Sequence, residues 1–189
     1  MAKEYKQIIA DQKVTSSKSF NDYLYGWLVM KADEDRKIEK KSFVYSQAEH
    51  ELGMTRKTIA KYFEWLLSEG LVIDDGEYWK LKDLEHSGFW IETNVLKRLL
   101  ELKRRYILSV YVYLMKGYWV SNKRRFVVLL RNVKEFIGIG IAGDTNNYLV
   151  TDCFEEFREM GLMNCQLWFD KESGKRFYCL DGVGRDNYF

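Results

Sequence analysis

The sequence predicts an α+β fold that is mainly helical and consists of two consecutive units with the same order of elements. Three observations lead to this prediction. Apolar residues recur at spacings of three and four in several segments, which is the period of a helix. Short runs of β-branched and aromatic residues flank turn signals such as Asp74-Asp75-Gly76-Glu77, a pattern typical of hairpins. The same order of elements then recurs about ninety residues later.

A helix opens the first unit. Ser19 is the expected N-cap, and the apolar residues that follow it recur at helical spacing. These are Phe20, Tyr23, Leu24, Trp27, Leu28 and Met30. After a charged loop, Ser42-Phe43-Val44-Tyr45 is a candidate short strand. Ser46 is then expected to cap a short helix that ends at Gly53, with Glu49 three residues after the cap as in a capping box.

The stretch LGMTRKTIAKYFEWLLSEGLV, from Leu52 to Val72, predicts the third helix. Thr55 is the expected N-cap, and Gly70 is the expected left-handed residue at which the helix ends. Helical spacing turns one set of side chains towards the core, namely Ile59, Phe63, Leu66 and Leu67. The outward side then carries Arg56, Lys57, Thr58, Lys61, Tyr62 and Trp65. Trp65 has an alternative position, packed against a neighbouring helix.

The order of elements is helix, short strand, helix, turn, helix, glycine and hairpin. This order is found in SQAEHELGMTRKTIAKYFEWLLSEGLV followed by VIDDGEYWKL. It resembles the winged helix-turn-helix superfamily. The resemblance implies that the third helix enters the major groove of DNA. Because Arg and Lys donate to guanine and Thr contacts the thymine methyl group, it implies base-reading roles on the outward side. The candidate residues are Thr55, Arg56, Lys57, Thr58, Lys61 and Tyr62.

A second unit repeats this order. Helices are expected at Tyr106–Lys116, at Asn132–Ile137 with Asn132 as its cap, and at Asn147–Met160. A strand is expected at Phe126–Leu129, and a hairpin joins residues 165–169 to residues 176–180. The dipeptides Phe63-Glu64 and Gly70-Leu71 recur as Phe154-Glu155 and Gly161-Leu162 at the same internal spacing.

The simplest account of this repeat is two tandem winged-helix domains, each with three helices and a β-hairpin wing. The predicted division is an N-terminal extension at 1–18, a first domain at 19–86, a second domain at 87–183 and a C-terminal tail at 184–189. Tandem winged helices resemble the replication initiators of plasmids and phages, whose two domains engage repeated sites at an origin.

The chain has a formal net charge of +2, but its cations are not evenly distributed. The segment from Lys97 to Lys134 holds eleven basic residues and one acid, Glu101. A run of one sign repels itself unless a polyanion neutralises it, although a solvated surface is the alternative. We expect this basic belt and the second wing to hold DNA phosphates. The candidate residues are Lys103, Arg104, Arg105, Lys123, Arg124, Arg125, Lys171, Lys175 and Arg176.

Two segments do not fit a protein that reads DNA with both units. The first wing carries Asp74, Asp75 and Glu77, which phosphate would repel. The third helix of the second unit has no basic residue before Arg158, so it is a poor groove binder. The sequence therefore predicts a division in which the first unit reads bases while the belt and second wing hold phosphates.

Other chemistry has weaker support in the sequence. Gly138 to Gly143 fits G-x-G-x-x-G, but a dinucleotide site needs a strand before the motif, and a helix is expected there. His50 and His86 are isolated, and the three cysteines lack the close pairing of a zinc or redox site. No nucleophile and base are recognisable together. We therefore expect no enzymatic activity, no cofactor, no metal and no small-molecule substrate.

The sequence thus predicts a sequence-specific double-stranded DNA-binding protein, most consistent with a plasmid or phage replication initiator. A winged-helix transcriptional regulator and a winged-helix protein-interaction module without DNA binding are the alternatives. Double-stranded DNA is the expected partner, and a second copy in a homodimer or a host replication or transcription protein is a further candidate. The longest apolar run is far short of the ~20 residues that a bilayer requires, so no membrane partner is expected and a cytoplasmic location is predicted.

Overall fold

The computed structural model describes residues 3–43, 45–85, 88–122, 125–141, 146–172 and 176–183. Within these ranges the chain is about half helical, with eight α-helices and small antiparallel sheets, which confirms the α+β prediction. The chain forms two compact units, Met1–Leu108 and Ser109–Phe189. In the part of the chain that is described, no helix is both long enough and apolar enough to cross a membrane.

The first unit contains two small sheets and the first five helices. Its elements are β1 (Tyr5–Ile9), α1 (Gln12–Thr15), α2 (Asp22–Lys31), β2 (Lys37–Glu39), a 3₁₀ turn (Lys40–Ser42), α3 (Tyr45–Leu52), α4 (Arg56–Ser68), β3 (Val72–Asp75), β4 (Tyr78–Leu81), β5 (Gly88–Glu92), α5 (Thr93–Glu101) and the start of α6 (Ile107–Val120). The second unit contains the rest of α6, then β6 (Phe126–Val128), α7 (Leu130–Phe136), α8 (Asn147–Glu159), β7 (Met163–Phe169) and β8 (Arg176–Val183).

Each unit contains a three-stranded antiparallel sheet with the same topology. In the first unit the strand order is β2-β4-β3, and in the second it is β6-β8-β7. In both, the strand that precedes the paired helices joins the second strand of the following hairpin, as Ile38 opposite Trp79 and Val127 opposite Cys179 illustrate. A separate two-stranded sheet pairs β1 with β5.

The core of the first unit lies between α2, α4 and α5. Leu28 and Ile59 are fully buried in α2 and α4, and Leu96 is fully buried in α5. Phe63 of α4 stacks on Phe43 with ring centroids 4.8 Å apart. This packing confirms that Ile59, Phe63 and Leu66 face inward, whereas Leu67, which was also expected in the core, is only half-buried.

The third helix and the first hairpin follow the sequence prediction closely. Thr55 caps α4, and Gly70 takes a positive φ of 65°, the left-handed conformation that glycine adopts without a Cβ clash. The hairpin of β3 and β4 turns at Gly76, which also has a positive φ of 64°. In the second unit α8 spans Asn147–Glu159, which confirms the predicted helix to within one residue.

Several predicted boundaries in the first unit were wrong. Asn21 caps α2 in place of Ser19, since its side chain accepts from the Leu24 amide at 2.9 Å. The strand lies at Lys37–Glu39 and not at 42–45, because Phe43 is drawn into the aromatic core; Val44 lies outside the described residues.

The predicted capping box at the start of α3 is also wrong. Ser46 lies inside α3, which begins at Tyr45. The Glu49 carboxylate accepts from the backbone amide of Arg56 at 2.6 Å, so it serves the start of α4 instead. In the second unit Asn132 is likewise inside α7, which begins at Leu130 and has no side-chain cap at Leu129.

The division between the units differs from the predicted boundary at 86/87. Residues 88–101 belong to the first unit because β5 pairs with β1 along its whole length and α5 packs against α2. The predicted N-terminal extension, 1–18, includes β1, whose Ile8 and Ile9 are buried. Residues 184–189 lie outside the described residues.

The Glu51 carboxylate joins α2 to α3. It accepts hydrogen bonds from Trp27 Nε1 at 2.6 Å, Lys31 Nζ at 3.1 Å and Gln47 Nε2 at 2.7 Å. Partial burial raises the pKa of Glu51, but these three hydrogen bonds outweigh it and hold the pKa below its usual value. The ionised form is therefore the one that stabilises the fold.

We expect Glu51→Gln to lower the free energy of unfolding at neutral pH by about 1–2 kcal/mol, since hydrogen bonds to a charged acceptor are lost. Because the folded-state pKa is lowered, this stabilisation is present above the ordinary pKa of glutamate and disappears as pH falls through the lowered value. Urea unfolding across this acidic range measures it. Glu34→Gln, at an exposed loop position, is the control; an equal difference between wild type and Glu51→Gln at every pH would contradict the assignment.

Gly117 in α6 lies directly against the ring of Phe126. A Cβ at this position would come within 2.1 Å of two ring carbons of Phe126, far inside van der Waals contact. Gly140 offers a comparison, because a Cβ there meets nothing within 4 Å.

We expect Gly117→Ala to destabilise the second unit by about 1–3 kcal/mol through overpacking, despite the better helix propensity of alanine. Gly140→Ala should leave stability nearly unchanged. Thermal unfolding followed by circular dichroism compares them, and equal melting temperatures for the two variants would show that the Phe126 ring moves aside freely.

Candidate nucleic-acid interface

The start of α4 is fixed by two side chains. Thr55 Oγ1 accepts from the Thr58 amide at 3.3 Å and lies 2.9 Å from the Thr58 hydroxyl. Glu49 accepts from the Arg56 amide at 2.6 Å. Both side chains satisfy amides that a helix start leaves without partners. The Thr55 hydroxyl, predicted to read a base, therefore already serves as a helix cap.

The exposed edge of α4 is cationic. Arg56, Lys57 and Lys61 are exposed, as their spacing predicts once Ile59 and Phe63 face the core. The Arg56 guanidinium lies 5.1 Å from the centre of the Tyr45 ring. This cationic edge, defined by Arg56, Lys57 and Lys61, contains the predicted base-reading residues that are most accessible to a ligand.

The other residues of α4 that were predicted to face outward are half-buried, namely Thr58, Tyr62 and Trp65. The Trp65 ring lies 6.0 Å from that of Phe20, so it packs against a neighbouring segment of its own unit. The Tyr62 ring lies 5.7 Å from the Arg105 guanidinium. Thr58 and Tyr62 are therefore less accessible than the cationic edge.

The loop 102–106 brings part of the basic belt to α4. Arg105 donates through Nη2 to the Lys18 carbonyl at 3.0 Å and lies 4.7 Å from the Tyr106 ring. The Tyr106 amide donates to the Asp22 carboxylate at 2.9 Å. Lys103 lies beside the turn between α3 and α4, with its Cδ 4.0 Å from the position of a Gly53 Cβ.

The first unit therefore contains residues from both the predicted base-reading set and the predicted phosphate-binding set. Lys103 is exposed and has a positive φ of 51°. Arg105 is half-buried and holds the loop through Tyr62, Tyr106 and the Lys18 carbonyl. Arg104 is also half-buried. Lys103 is thus the described belt residue beside α4 that is most accessible to a ligand, while Arg105 positions the loop.

Two of the three carboxylates of the first wing, Asp74 and Asp75, are paired with lysines. Asp74 forms an ion pair with Lys40, and Asp75 forms one with Lys37 at 3.0 Å. The hydrogen bond to Asp75 raises the pKa of Lys37. A cleft of about 310 Å³ beside this wing is lined by Glu39, Lys40, Lys41, Glu77 and Tyr78. The expected repulsion of phosphate by the wing is therefore reduced by these lysines.

The second unit presents a different surface. On α8, Tyr148, Glu155 and Arg158 are exposed, which agrees with the low cation content expected of this helix. Lys134 of α7 is buried and donates to the Asn147 side chain at 3.1 Å, at the start of α8. The sequence pattern did not identify Lys134 as an internal residue, because lysine is rarely buried.

Of the predicted phosphate-binding residues in the second unit, Arg125 and Lys171 are exposed. The Arg125 guanidinium lies 4.8 Å from the centre of the Trp168 ring. Lys123, Arg124 and Lys175 lie outside the described residues, and Arg176 begins β8. The sequence prediction did not include Trp168 among the candidate site residues. Because successive side chains of a strand point to opposite faces, one of Leu167 and Trp168 had to lie on the outer face of this predicted strand.

The remaining chemical motifs gain no support as sites. Gly138 follows the helix α7, and a dinucleotide motif requires a strand there; Ala142 and Gly143 lie outside the described residues, as does His86. All three cysteines are buried. Over the ranges that the structure describes, no group of three or more His, Cys, Asp or Glu side chains could hold a metal ion.

We expect Thr55→Ala to lower the free energy of unfolding by about 1 kcal/mol, because the Thr58 amide loses its cap. Thr58→Ala is the matched control, since it keeps the Thr55 cap bond to the backbone. Urea unfolding measures both. Equal stabilities of wild type and Thr55→Ala would mean that water replaces the cap without loss.

Comparisons with known proteins do not add to these observations. A scan against protein-family models, a search of curated proteins and a search of solved structures each found no match.

Proposed function

We propose that both units are winged-helix domains. Three features support this proposal in each unit: a helix and a strand precede two helices, a hairpin follows, and the early strand pairs with the second hairpin strand. The sheet orders β2-β4-β3 and β6-β8-β7 are equivalent. Two matching topologies in one chain agree with the dipeptide repeat found in the sequence.

We further propose that the protein binds double-stranded DNA sequence-specifically through the first unit. The observation that carries this proposal is the cationic edge of α4, Arg56, Lys57 and Lys61, beside the exposed Lys103. In a helix-turn-helix protein the second helix of the pair lies in the major groove. Lys and Arg on such a helix donate to guanine, and in this proposal Lys103 contacts the phosphate backbone.

Replication initiation at a plasmid or phage origin is the process that we propose for this binding. The tandem arrangement resembles such initiators, and the third helices of the two units, basic α4 and acidic α8, differ in charge as expected if the units have different tasks at a site. A transcriptional regulator would use the same interface. Neither role requires a cofactor or a catalytic residue.

A protein-interaction module is the second candidate function. It is favoured by a cleft of about 400 Å³ in the second unit, whose lining is mainly apolar: Tyr113, Lys116, Gly117, Val120, Ser121, Phe126 and Phe136. Val120 in this lining is 85% exposed, and contiguous apolar surface of this kind is typical of protein-interaction sites. A protein with only this function would be insensitive to charge changes on α4.

We expect Lys57→Ala with Lys61→Ala to weaken binding to duplex DNA at least about tenfold at moderate salt and to reduce the slope of log affinity against log salt by about 1–2. The matched control is Lys13→Ala with Lys82→Ala, which removes the same charge from exposed positions on α1 and just after β4, outside the basic belt. Fluorescence anisotropy over a salt series measures both.

If the two double variants lose affinity equally, the effect is one of net charge and α4 is not the reading helix. If wild type does not bind duplex DNA at low salt, the DNA-binding proposal fails and the protein-interaction module takes its place. Selection from a random duplex library then tests specificity, since a reading helix must enrich one sequence.

A further inference from the structure

The three-stranded sheet of the second unit has one face that α8 does not cover. Tyr178 in the central strand packs edge-on against Phe154 of α8, with ring centroids 4.8 Å apart, which identifies the core face. Side chains alternate along a strand, so Phe177 and Cys179 lie on the opposite face. The register places Trp168 opposite Phe177 and both Val127 and Gln166 opposite Cys179.

This outer face exposes large side chains on its two edge strands, β6 and β7, while Cys179 in the central strand is buried. Val127 is 50% exposed and Trp168 is 40% exposed. Tryptophan side chains in folded proteins are on average more deeply buried than this. The guanidinium of Arg125, the residue just before β6, lies 4.8 Å from the centre of the Trp168 ring. A tryptophan and an arginine in contact form an extended planar and cationic surface.

The sequence near Arg125 and Trp168 is rich in basic residues. Arg125 ends the segment 123–125, and the segment 170–176 begins two residues after Trp168. Together they carry six basic residues, Lys123, Arg124, Arg125, Lys171, Lys175 and Arg176, against two acids, Asp170 and Glu172. A neutral apolar partner would gain nothing from this excess of cations, whereas a nucleic-acid backbone would be attracted by it.

We propose that Trp168 and Arg125 form a stacking site for the bases of single-stranded DNA. Aromatic rings beside cations are the usual means by which proteins hold unpaired nucleotides, because every base has a flat face and every link carries a phosphate. A paired base in a duplex cannot present that face. This inference rests on the proposed function and extends it: the first unit binds duplex DNA, and the second holds a strand that has been opened.

The test uses the full chain and two probes, a fluorescein-labelled oligothymidylate and a labelled mixed-sequence duplex. We expect Trp168→Ala to weaken binding of the oligothymidylate about tenfold and to leave duplex binding unchanged. Trp90→Ala is the matched control, because Trp90 is 55% exposed on β5 of the first unit. It should alter neither affinity.

A second measurement does not depend on the alanine variant being folded. Oligothymidylate that stacks on Trp168 should quench part of the tryptophan emission of wild type, and Trp168→Phe should lose that part while retaining most of the affinity. An unchanged quench in Trp168→Phe overturns the stacking site, and so does equal oligothymidylate affinity in wild type and Trp168→Ala.

The two proposals fail in distinguishable ways. The double variant Lys57→Ala with Lys61→Ala should lose duplex affinity and keep oligothymidylate affinity, since α4 takes no part in stacking. Duplex binding by wild type without oligothymidylate binding overturns the stacking site alone. Absence of binding to both probes at low salt overturns the stacking site together with the proposed function.

Discussion

The aromatic cluster around Phe43 and Phe63 is the constraint on which the first unit depends. The two rings stack at 4.8 Å, Trp27 meets Phe43 edge-on at 5.9 Å, and Trp79 meets Phe63 edge-on at 5.2 Å. These contacts join α2, the segment before α3, α4 and β4. Because Phe63 is held on several sides, α4 cannot rotate about its axis without breaking aromatic contacts. The cationic edge of α4 faces outward for that reason.

The sequence allowed the prediction of those features that depend on local chemistry. Thr55, Gly70 and Gly76 each act through a cap or a positive φ that a few neighbouring residues determine, and all three were placed correctly. Ser46 and Ser19 were misplaced because a serine is a good cap wherever a helix begins, and tertiary packing decides that point. Here the burial of Phe43 and the cap at Asn21 decided it.

The candidate site depends on the exposure of single side chains and on contacts between distant segments. The sequence could predict only the exposure. Spacing alone predicted that Lys57 and Lys61 would be exposed. It could not place Lys103 beside Gly53 or Arg105 against Tyr62, because those contacts join segments about forty to fifty residues apart. The structure thereby separates two kinds of belt residue. Some hold the loop in place, and others are left accessible to a ligand.

The ion pairs of the first wing have a consequence for how a charged ligand approaches. Asp75 is matched by Lys37 of β2 and Asp74 by Lys40 of the 3₁₀ turn that follows, so at distances beyond a few ångströms the fields of these pairs largely cancel. The remaining wing carboxylate is that of Glu77, whereas α4 and Lys103 present four exposed cations, Arg56, Lys57, Lys61 and Lys103. An incoming polyanion would be oriented before contact by these cations, and the wing would repel it only weakly.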